Sequence, residues 1–196
     1  MSKKMNNFSA LITLVTVFFF WGFIAASNGV FIPFCKDYFD LNQFQSQLID
    51  SAFYGAYYIG GFFLFMYSSY NKKDLINNWG YKKSIIYGLL ISVLGALLMI
   101  PAINIGSFEL ILLALFILAS GFCLQQTSAN PFTISLGPKE TGSHRLNFAG
   151  GVNSLGTTIG PIVLSLLLFG GIHNAKTDIS NINLLYLFVA ILFILI

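Results

Sequence analysis

Charged residues divide this chain into six long stretches that contain no Asp, Glu, Lys or Arg. The stretches hold between 18 and 31 residues, and a helix needs about 20 mostly apolar residues to cross about 30 Å of hydrocarbon. Because backbone polar groups cannot stay unpaired in lipid, each stretch is predicted to form a helix. The predicted membrane spans cover about residues 8–34, 46–69, 84–103, 108–136, 145–170 and 184–196.

The composition excludes a water-soluble enzyme. Charged residues make up 9% of the chain and hydrophobic residues 56%, whereas soluble domains are about 25% charged. A net charge of +3 is too small and too scattered to indicate a nucleic-acid partner. Cys35 and Cys123 are too far apart in sequence to indicate a disulfide framework or a metal cluster. The first stretch follows Lys3 and Lys4, as in a signal peptide, but it is too long for one and is interpreted as the first span.

The basic residues predict the orientation of the chain, because short cytoplasmic loops of membrane proteins are rich in Lys and Arg. With the N-terminus in the cytoplasm, eight of the ten basic residues fall on the inner side and two on the outer side. The inner group is Lys3, Lys4, Lys72, Lys73, Lys82, Lys83, Lys139 and Arg145, and the outer pair is Lys36 and Lys176.

The first and fourth spans share a pattern. Each carries an asparagine near a proline about three-quarters of the way along: Asn28 with Pro33, and Asn130 with Pro131. Since these spans run in opposite directions, spans 1–3 and 4–6 resemble inverted three-helix repeats, in which interrupted spans indicate a transporter's substrate site. Two ordinary helix kinks explain the pattern equally well. The last span has 13 residues, about 20 Å of helix, which predicts a truncated helix and a longer protein.

The polar residues within the spans indicate binding rather than catalysis. His144 and His173 lie in loops on opposite sides and neither cysteine is near a histidine, so no enzyme activity, cofactor or metal site is predicted. Gln126 and Asn130 are four residues apart and share a helix face, where two amides offer donors and acceptors to a polyhydroxylated solute. The alternative is hydrogen bonding between helices; several amides close together favour binding.

The second span carries Asp50, Tyr54, Tyr57 and Gly61 on one stripe. A tyrosine offers a flat apolar face for a sugar ring together with a hydroxyl group. Asp50 is the one carboxylate predicted well inside a span, since Glu109 falls at the outer surface, and carboxylates within spans mark transport pathways or proton relays. An acid near a helix N-terminus is also electrostatically favourable, and the two interpretations have equal weight. In the fifth span, Asn153 either faces the pore or contacts another helix.

Several motifs resemble the N-terminal half of the fucose/proton symporter family, which belongs to the major facilitator superfamily. The most specific series is Ala129-Asn-Pro-Phe132, Leu136-Gly-Pro138 and Arg145-Leu-Asn147, and the similarity is greatest to bacterial glucose/galactose-type members. The resemblance implies an all-α, twelve-span sugar transporter of the bacterial inner membrane. This chain would supply its N-terminal six-helix half, built from two inverted three-helix repeats, and the C-terminal half would be missing.

The resemblance also implies which residues act in coupling and gating. The family's proton-linked carboxylate aligns with Gly29 and its sugar-binding glutamate with Gln126, which leaves Asp50 as the candidate for proton coupling. The family's asparagines are present at Asn28, Asn130 and Asn153. The superfamily's inner-loop gate corresponds to Asn77, Gly80, Lys82 and Lys83, with an asparagine in place of the usual acid.

The resulting hypothesis is transmembrane transport of a hexose-type sugar by alternating access, in the form of ion-coupled import. The expected partners are the sugar, a coupling proton or sodium ion, the lipid bilayer and the missing C-terminal half. The alternative is a non-transporting membrane fragment or assembly module of a truncated permease. The expected sugar contacts are Asn28, Tyr54, Tyr57, Gln126, Asn130 and Asn153.

Overall fold

The computed structural model describes residues 2–169 and 180–196, with side chains described for 7–169 and 182–196. These residues form seven α-helices and one 3-10 helix, and the described ranges contain no strand. His173 and Lys176, predicted to lie in an outer loop, fall outside the described residues. The helices are α1 (Ser2–Tyr38), α2 (Gln43–Asn71), α3 (Leu75–Trp79), α4 (Tyr81–Ile105), α5 (Phe108–Ser135), α6 (Gly142–Phe169) and α7 (Ser180–Leu195), and the 3-10 helix covers Lys139–Thr141.

Five of these helices (α1, α2, α4, α5 and α6) are long and apolar enough to cross a membrane, and α7 adds a shorter apolar segment, Ile182–Leu195. The predicted all-α membrane fold is therefore confirmed. The five-residue helix α3 lies in the connection between α2 and α4, where the hydrophobic pattern does not indicate a helix.

Local side-chain chemistry determines where the helices begin and end. At the start of α2, the Asn42 side chain accepts the Gln45 N–H and the Gln45 side chain accepts the Asn42 N–H, both at 2.9 Å. This reciprocal capping box satisfies two donors that a helix end leaves free. Ser107 caps α5, and Gly106 ends α4 in the left-handed conformation (φ 71°) that glycine adopts without strain. The connection between α4 and α5 is therefore very short.

Several helix contacts follow the pairing expected of two three-helix repeats, whereas the close packing of α4 on α5 has no counterpart of similar extent between α7 and α1 within the described residues. The helix α1 packs on α6 as α5 packs on α2, α1 touches α2 as α5 touches α6, and α4 meets α7. Exchanging the group α1, α2, α4 for the group α5, α6, α7 leaves these pairs unchanged. Phe20 and Phe122 are separated by the same number of residues as Asn28 and Asn130. Both rings meet Phe193 of α7 edge-on, at centroid distances of 5.8 and 5.9 Å.

Two helix pairs approach so closely that glycine is required at the contact. A Cβ atom added at Gly156 or Gly160 of α6 would collide with backbone carbonyls of α1, and one at Gly22 of α1 would collide with the backbone of α6. On the other pair, Gly121 of α5 leaves room for Ser92 of α4. Small residues allow this approach in membrane bundles, where dispersion contacts hold helices together. We call the first contact the α1–α6 seam.

Two of the helices have wide free surfaces. In their most apolar stretches, 17% of α2 and 22% of the segment that contains α6 are buried, whereas the share is 50–56% in α1, α4 and α5. Large side chains on α2 such as Tyr58, Phe63 and Tyr70 are consequently exposed. The polar residues of α1 and α5 therefore lie next to α2 and α6, the two helices whose surfaces are least covered by the rest of the bundle.

Candidate functional site

A polar pair joins the C-terminal part of α1 to the N-terminal part of α2. Asn28 Nδ2 donates a hydrogen bond to Asp50 Oδ1 at 3.3 Å, and the Asn28 side chain is buried. Asp50 is the eighth residue of α2 and lies beyond its first turn, where the stabilising effect of the helix dipole on an acid falls off. Its neutral amide partner, rather than the helix end, provides the contact for this carboxylate.

A second polar contact joins α2 to α5 near the middle of the bundle. Gln126 Nε2 donates to the Tyr57 hydroxyl oxygen at 3.4 Å, and Cys123 Sγ donates to the Tyr57 backbone carbonyl at 3.5 Å. The Tyr57 ring also lies 5.8 Å from the Phe53 ring, which is fully buried. Tyr57 is therefore held in place by both its backbone and its ring, with its hydroxyl directed toward Gln126.

Two of the predicted sugar contacts are accessible. Tyr54 is 54% exposed, one turn of α2 from Asp50, and its ring packs against Phe53 at 5.3 Å. Asn130 is exposed one turn along α5 from Gln126. Gly29, adjacent to Asn28, is exposed as well, and nothing lies within 4 Å of the position that a Cβ atom would occupy. A solute could reach these groups without displacing core side chains.

Asn153 contacts a helix in this structure. Its Nδ2 donates a 2.8 Å hydrogen bond to the backbone carbonyl of Phe18, which joins α6 to α1. The bond lies at the α1–α6 seam, where the backbone of Asn153 faces Gly22. Asn153 is thus placed apart from the Asn28–Asp50 and Tyr57–Gln126 contacts, although α1 connects it to them.

The predicted inner-loop gate lies on α3 and the start of α4. Gly80 joins the two helices with φ +80°, a conformation that favours glycine. Asn77 is exposed, and its backbone N–H contacts the capping carboxylate of Asp74 at 3.4 Å. Lys82 and Lys83 are exposed in the first turn of α4. Positive charge at a helix N-terminus opposes the helix dipole, so these lysines do not stabilise α4 electrostatically.

A buried network of hydrogen bonds, not predicted from the sequence, runs through α1, α5 and α4. Trp21 Nε1 donates to Gln125 Oε1 at 2.9 Å, and Gln125 Nε2 donates to Ser92 Oγ at 2.9 Å. The Ser92 hydroxyl in turn donates to the Leu118 carbonyl at 3.0 Å. Gln125 and Ser92 are fully buried and Trp21 is 3% exposed. The sequence feature that indicates this network is the pair Gln125-Gln126. Adjacent residues of a helix point in different directions, so one of the two amides must face another part of the bundle.

Comparisons with known proteins agree with this architecture. The model of the Major Facilitator Superfamily matches residues 10–196. A glucose/galactose transporter of Brucella abortus is 37% identical over 194 residues, which cover 98% of this chain and 45% of the relative. The L-fucose-proton symporter of Escherichia coli is 35% identical over 168 residues, which cover 86% of this chain and 36% of the relative. The chain therefore spans less than half the length of the curated relatives it matches.

A solved structure shows the same fold. The crystal structure of FucP, a Major Facilitator Superfamily transporter in the outward conformation, matches with a TM-score of 0.69 and 30% sequence identity. The match covers 95% of this chain and 49% of that protein, in its N-terminal half. The predicted resemblance is thereby confirmed, and the chain is a multi-pass membrane protein.

Proposed function

The chain belongs to the Major Facilitator Superfamily, and we propose that it forms the N-terminal half of a hexose-type sugar transporter that works by alternating access. Residues 1–196 would act as one six-span unit, with a second unit of similar size completing the central cavity. The relatives named above as glucose/galactose transporters and an L-fucose-proton symporter support a sugar as the substrate.

The observation that carries this proposal is the pair of polar contacts across α1, α2 and α5. Asn28 with Asp50 and Gln126 with Tyr57 supply amide, carboxylate and phenol groups where α2 meets α1 and α5. Amides both donate and accept hydrogen bonds, as sugar hydroxyls do. At 3.4 Å, the Gln126–Tyr57 contact is long for a hydrogen bond, so a hydroxyl group can replace it at small cost. Asn130 and Tyr54 extend the site on its accessible side, and Asn153 supports it through α1.

Asp50 is the proposed coupling residue. Within the described spans, Asp50 is the carboxylate that lies next to a proposed sugar contact. That residue is Asn28, whose neutral amide donates a hydrogen bond to it. A proton needs a single titratable oxygen, whereas a sodium site needs several oxygen ligands, so a proton is the proposed ion. Protonation of Asp50 would leave the bond from Asn28 in place, because a carboxylic acid keeps an oxygen that accepts. The symporter named above supports proton coupling.

The proposed orientation places the N-terminus and α3 on the cytoplasmic side of a bacterial inner membrane. Among the described segments, the connection around α3 carries Lys72, Lys73, Lys82 and Lys83, which is the charge excess expected on that side. Gly80, Asn77 and the two lysines that follow would form the inner gate against the second half of the transporter.

The test is sugar uptake by the full-length protein that carries Gln126→Ala. We expect KM for the transported hexose to rise about two- to tenfold, the range for one neutral hydrogen bond. The control is Asn71→Ala, which removes an exposed amide at the end of α2 whose hydrogen bond is local. Unchanged uptake and affinity in Gln126→Ala would remove this residue from the site.

A further inference from the structure

The hydrogen bonds from Trp21 through Gln125 to Ser92 connect α1 to the closely packed pair α4 and α5. The helix α1 packs along α6, and α5 packs along α4 and α2, whereas α1 and α5 touch over a short stretch. Within the described residues, the bond from Trp21 Nε1 to Gln125 Oε1 is the one side-chain hydrogen bond between α1 and α5. It therefore crosses the boundary between the two helix repeats at mid-depth.

Gln125 is held on both sides. Its oxygen accepts from Trp21 and its nitrogen donates to Ser92, and Ser92 is anchored to the Leu118 carbonyl two turns away on α5. Trp21, Gln125 and Ser92 all lie in the core, where water does not reach the Gln125 amide to form hydrogen bonds with it. A buried amide with both ends occupied resists rotation, because turning it leaves polar groups unpaired.

The direction of Gln125 fixes the direction of Gln126. Successive residues of an α-helix are about 100° apart around the axis. When the Gln125 side chain points at α1 and α4, the next side chain points at α2, where the Tyr57 hydroxyl lies 3.4 Å from Gln126 Nε2. Asn130, four residues later, shares that face. A rotation of α5 that broke the Trp21–Gln125 bond would move both amides.

We propose that the hydrogen bond between Trp21 and Gln125 is a latch that sets the rotation of α5, and that Gln125 is a positioning residue for the sugar site. The proposal rests on the function proposed above, since it takes Gln126 and Asn130 as groups that contact the sugar. Gln125 itself is fully buried and does not contact the solute in this assignment.

The chemistry allows the latch to be removed without leaving a buried group unpaired at the α1–α5 contact. Trp21→Phe keeps a ring but leaves Gln125 Oε1 without its donor. Trp21→Phe combined with Gln125→Leu removes both partners, so neither is left unpaired at this contact, and the cost that remains is the volume lost from indole to phenyl. The double variant therefore separates a role in positioning from a role in folding. Ser128→Ala is the matched control, because Ser128 is buried on α5 and bonds within its own helix.

The experiment measures hexose uptake and melting temperature in detergent for the full-length protein and these variants. For the double variant we expect a melting temperature at or above that of Trp21→Phe, which leaves the Gln125 oxygen unpaired, with KM raised about three- to tenfold over the parent and the maximal rate less affected. Ser128→Ala should keep the parent KM. A double variant with the parent KM would overturn the proposal. If the double variant does not accumulate in the membrane, the KM of Trp21→Phe is measured instead. A KM raised by a similar factor supports the latch, and the parent KM overturns it.

A labelling measurement keeps this inference separate from the sugar hypothesis. Asn130→Cys can be labelled with a membrane-impermeant maleimide, since Cys35 and Cys123 of this half are buried, and the labelling of the parent protein is subtracted as background. The latch variants should change the labelling rate at position 130 several-fold, whereas Ser128→Ala should not, and equal rates would contradict the latch. If the rates change but Gln126→Ala transports normally, the latch stands and the sugar site fails. If Gln126→Ala loses affinity but the latch variants do not, the latch alone fails.

Discussion

Asn153 Nδ2 lies 2.8 Å from the backbone carbonyl of Phe18, across the contact between α6 and α1. Hydrogen bonds between membrane helices contribute about 0.6 kcal/mol on average. We therefore predict that Asn153→Ala lowers the free energy of unfolding by about 0.5–1.5 kcal/mol, measured by thermal melting in detergent. Ser154→Ala is the control, because its hydroxyl is exposed and bonds within α6. Equal melting temperatures for the two variants would contradict a role for Asn153 in helix contact.

The glycines of the α1–α6 seam should tolerate no larger residue. Gly156→Leu would drive a side chain into the backbone of α1, and relief requires the helices to separate. We predict that this variant fails to accumulate in the membrane, as followed by a fluorescent fusion. Gly151→Ala is the matched control on the same helix, since nothing lies within 4 Å of its Cβ position. Alanine is the better helix former by about 0.5–1 kcal/mol, so this control should be at least as stable as the parent.

The Tyr57 hydroxyl can be tested separately from its ring. Tyr57→Phe keeps the packing against Phe53 but removes the group that Gln126 contacts. We predict that KM for sugar uptake rises about two- to tenfold while the melting temperature changes little. Tyr58→Phe, on an exposed part of α2, should leave KM unchanged. A parent KM in both variants would show that the hydroxyl takes no part in binding.

Asp50→Asn tests the proposed coupling. The replacement is similar in shape and can still accept a hydrogen bond from Asn28, so the contact between α1 and α2 should persist. Without a titratable group, we predict that a pH gradient no longer drives sugar accumulation, while exchange of labelled for unlabelled sugar continues. Vesicles with an imposed pH gradient measure both. Accumulation at the parent level would exclude Asp50 as the coupling group.

Arg145 binds the C-terminal end of α5. Its guanidinium donates to the carbonyls of Thr133 and Pro138 at 3.1 and 3.0 Å and to the Thr141 hydroxyl at 2.8 Å. The Thr133 carbonyl lies in the last turn of α5, where the helix supplies no donor, and the Pro138 carbonyl also accepts the Thr141 N–H at 3.2 Å. We predict that Arg145→Ala costs about 1.5–3 kcal/mol of stability in thermal melting. Arg145→Lys should recover only part of it, because an ammonium lacks the planar fork. Lys139→Ala, exposed on the same loop, is the control.

The long apolar helices could be predicted because their physical cause is local. Bilayer thickness and the need to satisfy backbone groups act on each stretch separately, so charge-free runs predict membrane helices without knowledge of the packing. The helix α3 is different: it depends on the Asp74 cap at 2.8 Å from the Ile76 nitrogen rather than on hydropathy.

The partners of the polar residues could not be predicted in this way. The sequence places Gln126 and Asn130 on one face, but it does not show that Gln125 is the amide taken into the core by Trp21. It also gives Asp50 two interpretations and does not show that this carboxylate contacts Asn28. Such pairs depend on how helices far apart in sequence are rotated relative to each other. The hydrophobic and polar pattern of a single sequence does not specify that rotation.

The α1–α6 seam also has a consequence for biosynthesis. Phe18 and Asn153 are 135 positions apart, so at about 5–20 residues per second the ribosome needs roughly 7 to 27 seconds to deliver the second after the first. During that interval the narrow glycine face of the newly inserted α1 has no partner in the nascent chain. Lipid tails can cover that face in the meantime, because the backbone groups of α1 are satisfied within the helix. The α1–α6 seam therefore cannot form until α2, α4 and α5 have been synthesised.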